Sequence, residues 1–435
     1  MRPKAIQGHE IFYIDRPPIE DMVDSSHPLM ELAAVMDWDR FDKKFSAFFT
    51  STRGRPPTAT RIIVGTLYLK HTYNLSDEDV VERVRESPYW QYFCGSKYFQ
   101  RTPLCDATTL VKWRQKIGEA GLEELLQETL ASALKIKAIK PRDLDDVTID
   151  TTVQEKNIAF PTDAKLLERA RKAVVKAAED ACVELRQNYN RESPLLVAKY
   201  ARYSHAKQFN RARRVRKRLI TILGRVLRDF DRKANWESMP ERVKTRIAVA
   251  RRILLQMGTG KDKVYSVHEP EVECISKGKA HKRYEFGCKV SVATTNLSNW
   301  IVGAKAIHGR PYDGHTLGEA LGQVRRLVGR VPSAVYVDKG YRGAKPPDEG
   351  TQVFISGQRR GINRRRKRLL RRRSAVEPVI GHLKGGHRLG RNFLKGVAGD
   401  RNNIILAAAG FNMSKLIAAL FVLNFIHAFF GSSLV

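Results

Sequence analysis

The sequence predicts an α/β protein: a mixed central sheet flanked by helices, with a large helical insertion after the first strand and a helical N-terminal region. Three observations carry this. Short β-branched runs (DDVTIDTTVQ, YEFGCKVSVATT, residues 300–307, AVYVDKG and TQVFISG) recur with helical patterns among the later ones. With residues 163–262 set aside, the order is strand, strand, strand, helix, strand, strand, helix, and such alternation builds an α/β layer. Residues 163–262 themselves read as helices crowded with bases, as in RARRVRKRLITILGRVLRDFDRK. Before residue 143 the patterns are helical, with weak periodicity over residues 1 to about 50 and a break at 53–57. The expected organisation is a helical region over 1–142 for DNA binding or dimerisation, the first part of a catalytic domain over 143–162, the basic helical insertion over 163–262, and the rest of that domain, with an apolar C-terminal helix, over 263–435.

Taken in order, HPLMELAAVMDWDRFDKKFSAFF reads as helical and RGRPP at 53–57 ends it. Thr58 or Thr60 can cap the next helix, and Ser76 with Asp79 has the spacing of a capping box. A third helix starts near Asp106. Three short helices with polar turns fit a helix-turn-helix DNA-binding unit, and they fit a plain helical bundle too. Tyr284–Thr295 and Trp300–Ile307 form a strand pair around NLSN, HTLGEALGQVRRLVG at 315–329 is an amphipathic helix, and a basic helix follows the last strand.

A chain of 435 residues has room for two or three domains. Its formal net charge of +32 predicts attraction to polyanions, nucleic acid first. A membrane-surface protein usually carries one compact polybasic tail, whereas the bases here spread over three quarters of the chain. Five cysteines (Cys94, Cys105, Cys182, Cys274, Cys288), none in a C-x-x-C pair, argue against a zinc or disulfide framework and for a reducing compartment. MRPKAIQGHEIF has no apolar core of a signal peptide, so no secretory signal is expected. LIAALFVLNFIHAFF, residues 416–430, is apolar but shorter than the roughly 20 residues a bilayer needs, and Asn424 and His427 interrupt it. It reads as a helix buried against the sheet, or as an oligomer contact, with no membrane involved.

Three acids stand out. Asp150 sits inside the strand VTIDTTV, where Asp is disfavoured; Asp338 closes AVYVDKG, where it also suits a turn. Glu377 is the lone acid among fourteen Lys and Arg in residues 350–399. Carboxylates converging from two strands and a helix can hold Mg²⁺, a hard cation that takes oxygen ligands. Two such ions, roughly 3.5 to 4 Å apart, support in-line phosphoryl transfer. Bases would hold the phosphates and acids the cations. Asp145 and Asp146 precede the apolar strand core and read as solvated. Tyr341 reads either as a packed tyrosine or as a platform for a displaced DNA base. His315, with Asp313 and Thr316, suggests a helix cap, and His382 and His387 read as phosphate contacts rather than metal ligands.

These segments carry a resemblance. IDTT around Asp150, YEFGCKVSVATT, YDGHTL, VYVDKGYRG and RRRSAVEPVIGHLK resemble the DDE transposases of bacterial insertion sequences, closest to the insertion-sequence-five group of the insertion-sequence-four superfamily. The resemblance covers most of the chain. It implies an RNase H-like catalytic domain in which Asp150, Asp338 and Glu377 are the catalytic acids and ligands of two Mg²⁺ ions, Mn²⁺ being an alternative. It implies DNA contacts by Arg373 and Lys384, which with Glu377 match the family's signature spacing; Tyr341, Arg342 and His382 are further expected contacts. The signature's tyrosine position holds Leu370, a departure that puts that tyrosine's role in doubt. At about 100° per residue, positions 373, 377 and 384 share one helix face within roughly 40°, although Pro378 would allow the helix to begin only at Glu377. The implied activity is metal-dependent strand cleavage and strand transfer, on the element's terminal inverted repeats and on target duplex DNA. The implied state is a homodimer or larger assembly in the bacterial cytoplasm, associated with the nucleoid. A metal-dependent nuclease on the same fold, and a catalytically silent domesticated DNA-binding protein, are the alternatives.

Overall fold

The computed structural model describes residues 17–49, 56–260, 263–276, 283–344 and 350–430. The opening residues read for a secretory signal, and residues 53–55 of the RGRPP break, lie outside them, as do the side chains of 425–430 in the apolar C-terminal run.

The chain opens with α1 (Ile19–Met22), α2 (Pro28–Val35), α3 (Trp38–Phe45), α4 (Thr60–Thr72), α5 (Asp77–Glu86), α6 (Pro88–Phe93) and α7 (Ala107–Lys135). Strand β1 (Asp146–Glu155) follows, then α8 (Asp163–Asp180), α9 (Glu192–His205), α10 (Phe209–Lys233) and α11 (Glu241–Thr259). After them come β2 (Glu273–Ser276), β3 (Tyr284–Thr295), β4 (Ile301–Ile307), α12 (Asp313–Val328), β5 (Ala334–Val337) and β6 (Gln352–Ile355). The basic segment makes α13 (Arg364–Arg372) and α14 (Val376–Gly386), and α15 (Gly396–Phe430) closes the chain. It is a mixed α/β protein with a six-stranded mixed sheet. Residues Met1–Glu155 with Cys288–Val435 form one compact unit, and Lys156–Gly287 form another.

In the first unit the strands lie in the order β4-β3-β1-β5-β6. β3 and β4 pair antiparallel from Lys289↔Ile307, with a bulge between Ala293 and Thr294. β1 and β5 pair parallel, Asp146↔Ala334 through Thr148↔Tyr336, and β5 pairs parallel with β6. Parallel strands buried on both faces read as continuous apolar runs. That describes β5, buried at every position, and the first half of β1. In β1 only Asp150, Thr151 and the terminal Glu155 are half-buried, so the strand's burial loosens at its aspartate.

The N-terminal helices use the caps that the sequence offers. Ser76 and Asp79 make a reciprocal capping box on α5, and Asp106 accepts from Thr108 N on α7. α7 bends at Gly118, whose φ of 58° is left-handed. Buried Lys70 of α4 and Arg114 of α7 converge on Asp77 at the start of α5, with Lys70 Nζ at 2.8 Å and the Arg114 guanidinium forked on both carboxylate oxygens.

α15 differs from the sequence expectation in extent. The helix starts at Gly396, twenty residues before the apolar run at 416. Residues 396–424 are long and apolar enough to cross a membrane, yet two-thirds of the most apolar stretch is buried within the protein. It packs on α7, α4 and β4. Its polar residues are placed for that role: Asn412 donates to Thr129 Oγ1 and to Ile301 O and accepts from Ile301 N. Where α15 crosses α4, a Cβ added at Gly410 would stand 2.6 to 2.7 Å from His71 atoms, the backbone carbonyl among them. Gly410→Ala should therefore force the helices apart and cost about 1–3 kcal/mol, read as a lower urea midpoint with an unchanged slope.

In the second unit, α8, α10 and α11 bury an apolar core that includes Leu167, Val174, Leu223, Phe230, Ile247 and Ile253. Most of the bases face outward. Arg171 and Lys156 are buried: Arg171 is held by Glu168 and by the Asn190 side chain, and Lys156 pairs with Glu269. β2 pairs antiparallel with the first residues of β3, Glu273↔Gly287 through Ser276↔Tyr284.

Candidate active site

The register of β1 and β5 places two acids side by side. Pairing runs to Thr148↔Tyr336; Asp150 lies two residues further along β1 and Asp338 directly follows β5, so both acids fall toward the same end of the two parallel strands. Asp338 ends β5 and caps the short turn Lys339–Tyr341, with Oδ1 accepting from Gly340 N at 2.8 Å. It therefore does the turn work that D-K-G suggests and still presents its second oxygen.

The basic segment delivers the third acid. α13 ends at Arg372, residues Arg373–Ala375 make a single 3-10 turn, and α14 begins at Val376. Pro378 thus falls in the first turn of α14, where a missing N–H breaks no helical bond. The tightened turn carries Arg373 onto Glu377. Its guanidinium bridges the two acids, Nη1 at 3.2 Å from Asp150 Oδ2 and Nη2 at 3.4 Å from Glu377 Oε1. The Arg373 side chain is only 14% exposed, whereas that of Glu377 is 65% exposed. Lys384 lies two turns further along α14, on the Glu377 face by helical period. Leu370 is buried with Tyr336, Phe354 and Leu369, so the position that departs from the signature is filled by core packing.

A fourth acid joins them. Asp313, the first residue of α12, accepts from Thr151 Oγ1 at 3.0 Å and from Lys289 Nζ at 2.9 Å. Its Oδ2 lies beside Gly340, next to Asp338. The sequence suggested only a helix cap here; the cap residue is Tyr312, and it makes no side-chain cap bond. His315 stands exposed one turn in, its ring edge-on to Tyr312.

Several expected roles are corrected by burial. Tyr341 is fully buried beneath α12 and cannot serve as a stacking platform for a base. Burial foremost, then the negative charges of Asp313, Asp150 and Asp338, push its phenol far above the ordinary range. His387 is buried too, bonded through Nδ1 to His71 O and edge-on to Phe411, so it is not offered to a phosphate. Asp146 is not solvated: it is buried, accepts from Tyr336 OH at 2.9 Å, and pairs with Arg366 and Arg365 of α13. Arg342 and His382 are exposed.

The donor set is carboxylate oxygen, which suits a hard divalent cation such as Mg²⁺. The guanidinium lodged between Asp150 and Glu377 marks the spot as one that draws positive charge. Beside it lies a groove lined by Leu297, Arg368, Arg371, Arg372 and Pro378.

Residues 17–116 match the family model described as Transposase domain (DUF772), and residues 258–413 match the model described as Transposase DDE domain. The second range contains Asp338 and Glu377; Asp150 lies between the two. A curated relative from Rhizobium meliloti, the "Uncharacterized protein ORF8 in nfe locus", is 43% identical over 210 residues, which is 48% of this chain and the whole of that protein. No solved structure matches.

Proposed function

Because the chain belongs to the DDE transposases of insertion sequences, we propose that it cuts DNA at the ends of a mobile element and joins the freed ends to target DNA, with Asp150, Asp338 and Glu377 as the catalytic acids. The observation that carries this reading is the meeting of the three acids at one end of the sheet, two from adjacent parallel strands and one from the basic helix. An RNase H-like catalytic domain, membership of the insertion-sequence-five group and the use of Mg²⁺ rather than another divalent ion are parts of the same proposal.

When bound between these acids, the divalent cations would raise the nucleophilicity of the attacking oxygen and stabilise charge on the departing one. The chain supplies the rest. Asp150 and Asp338 are fixed by strand register, so their oxygens are set before DNA arrives. Glu377 is exposed on the first turn of α14. Arg373 lies between Asp150 and Glu377 and would help hold a DNA phosphate at the acids. In the first step a water oxygen bonds to phosphorus, the P–O3′ bond breaks, and the 3′-oxygen takes a proton. In the second that 3′-hydroxyl attacks a target phosphorus, loses its proton, and displaces the target strand's own 3′-oxygen. Lys384, Arg342 and His382 would hold phosphates. The region 1–142 and the insertion 163–262 are proposed to recognise the terminal repeats and to bring two protomers together, since two ends must join in one event.

A labelled duplex carrying the ends of the surrounding element, mixed with supercoiled target DNA, tests the whole reading. With Mg²⁺ the expected products are 3′-hydroxyl ends and joined end–target species, and chelation removes both. Cutting without joining would reassign the protein as a metal-dependent nuclease; tight binding without either would leave a DNA-binding protein on a transposase scaffold.

A further inference from the structure

A second constellation lies on the other face of the β3–β4 hairpin. Cys288 precedes Lys289 on β3, and because side chains alternate across a strand, Lys289 turns toward Asp313 while Cys288 turns away from it. One step beyond the pair Lys289↔Ile307, Cys288 stands opposite His308. Asp400, in the first turns of α15, completes the group. Cys288 Sγ is 3.6 Å from His308 Nε2, which is 3.9 Å from Asp400 Oδ2. The three ligand atoms all lie within 4.8 Å of one another.

We infer that Cys288, His308 and Asp400 form a site for a thiophilic divalent cation such as Zn²⁺, separate from the carboxylate site. Bond lengths of about 2.3 Å to sulfur and about 2.0–2.2 Å to nitrogen and oxygen, at tetrahedral angles, put ligand atoms roughly 3.3–3.6 Å apart. The sulfur–nitrogen distance already has that value, and the nitrogen–oxygen distance exceeds it by little. A mixed sulfur, nitrogen and oxygen set selects a softer ion than carboxylates alone. The surroundings are built for orientation. Asp400 Oδ1 accepts from Asn392 Nδ2 at 2.8 Å and from Gln154 Nε2 at 3.4 Å, so the carboxylate is aimed, and Oδ2 faces the imidazole. Such second partners fix metal-ligating carboxylates. Cys288 and Asp400 are buried while His308 is partly exposed, which leaves an approach from the histidine side, where water would fill the fourth position.

Without the ion, the thiol donates to Lys289 O and Ile307 O at 3.2 and 3.4 Å. Binding the cation forms a sulfur–metal bond and releases the thiol proton to solvent. The ion would then pin the start of α15 to the β3–β4 hairpin, a structural role.

The test titrates the metal-stripped full-length protein with Co²⁺, whose thiolate charge-transfer absorption reports sulfur ligation directly. Wild type and Cys182→Ser, which alters an exposed cysteine elsewhere, should bind one equivalent with that absorption. Cys288→Ser should lose it. Asn392→Ala, which keeps all three ligands but frees the carboxylate, should bind about 10–100-fold more weakly. Circular dichroism confirms folding of each variant. If Cys288→Ser is unfolded, His308→Gln serves in its place, with at least tenfold weaker binding expected. No thiolate absorption in wild type, or absorption that survives both Cys288→Ser and His308→Gln, would overturn the site.

Discussion

Glu377→Gln is expected to cut DNA at no more than about one-thousandth of the wild-type rate, the equivalent of losing ~4 kcal/mol of transition-state stabilisation, while folding and holding duplex DNA as well as wild type or better. The side chain is 65% exposed and, among the described residues, pairs with Arg373, so its removal from the fold costs little. What it removes is the one anionic charge in a segment of fourteen bases. Without Glu377 the remaining acids would hold the divalent cations less well, and charge on the leaving oxygen would be less stabilised. Binding changes the other way: the substitution deletes the only repulsion a phosphate meets along α13 and α14. Single-turnover cleavage, a gel shift and a thermal melt on the same preparation separate the three effects. Cleavage within tenfold of wild type would make Glu377 a partner of Arg373 and nothing more. Asp150→Asn and Asp338→Asn are expected to lose cleavage equally.

The parts of the molecule that were legible in the sequence are those whose cause is local. Alternation over Tyr284–Thr295 and Ile301–Ile307 gave a hairpin because side-chain period and turn chemistry are both read within a few residues. The caps at Ser76 and Asp106 were legible for the same reason. The acids were visible as anomalies, an aspartate inside a strand and a glutamate among arginines. What escaped was set by partners far along the chain. Asp146 looked like a solvated strand start, but the guanidinium that buries it is Arg366, 220 residues away. Tyr341 read either as a packed residue or as a base platform, and its burial beneath α12 decides for packing. Asp313 read as a cap because its partners, Thr151 and Lys289, come from two other strands. The first twenty residues of α15 lie before the apolar run at 416–430 and are interrupted by Asp400, Arg401, Asn402 and Asn403. Asn402, Asn403 and Asp400 look like a loop until Arg114 O, Gln154 and Asn392 are brought to meet them. β2 was missed because four residues, ECIS, hold no period to detect.

Asp77→Asn is expected to destabilise the protein by about 3–5 kcal/mol, the cost of leaving buried charges without their partner. Lys70 and Arg114 are 4% and 3% exposed at the side chain, and Asp77 faces both. Burial by itself would raise the Asp77 pKa, but the Arg114 fork and Lys70 outweigh it and hold the carboxyl well below its usual range. A carboxyl whose pKa falls on folding gives stability that is complete above its unfolded value near 4 and is lost as pH drops toward the folded one. Wild type should therefore lose stability below about pH 4 in a way that Asp77→Asn, with nothing there to protonate, does not. The two bases answer the loss differently. Burial, and then Arg114, already draw Lys70 down to about 8. In the variant Lys70 can shed its proton, whereas a guanidinium cannot. The deficit of Asp77→Asn should accordingly shrink as pH rises from 7 to 9, and urea titrations of both proteins across that range read it directly. A deficit that stays flat with pH would mean that hydrogen-bond geometry, not charge, joins α4, α5 and α7 at this point. A deficit below about 1 kcal/mol, the worth of an exposed pair, would mean that water reaches these three side chains.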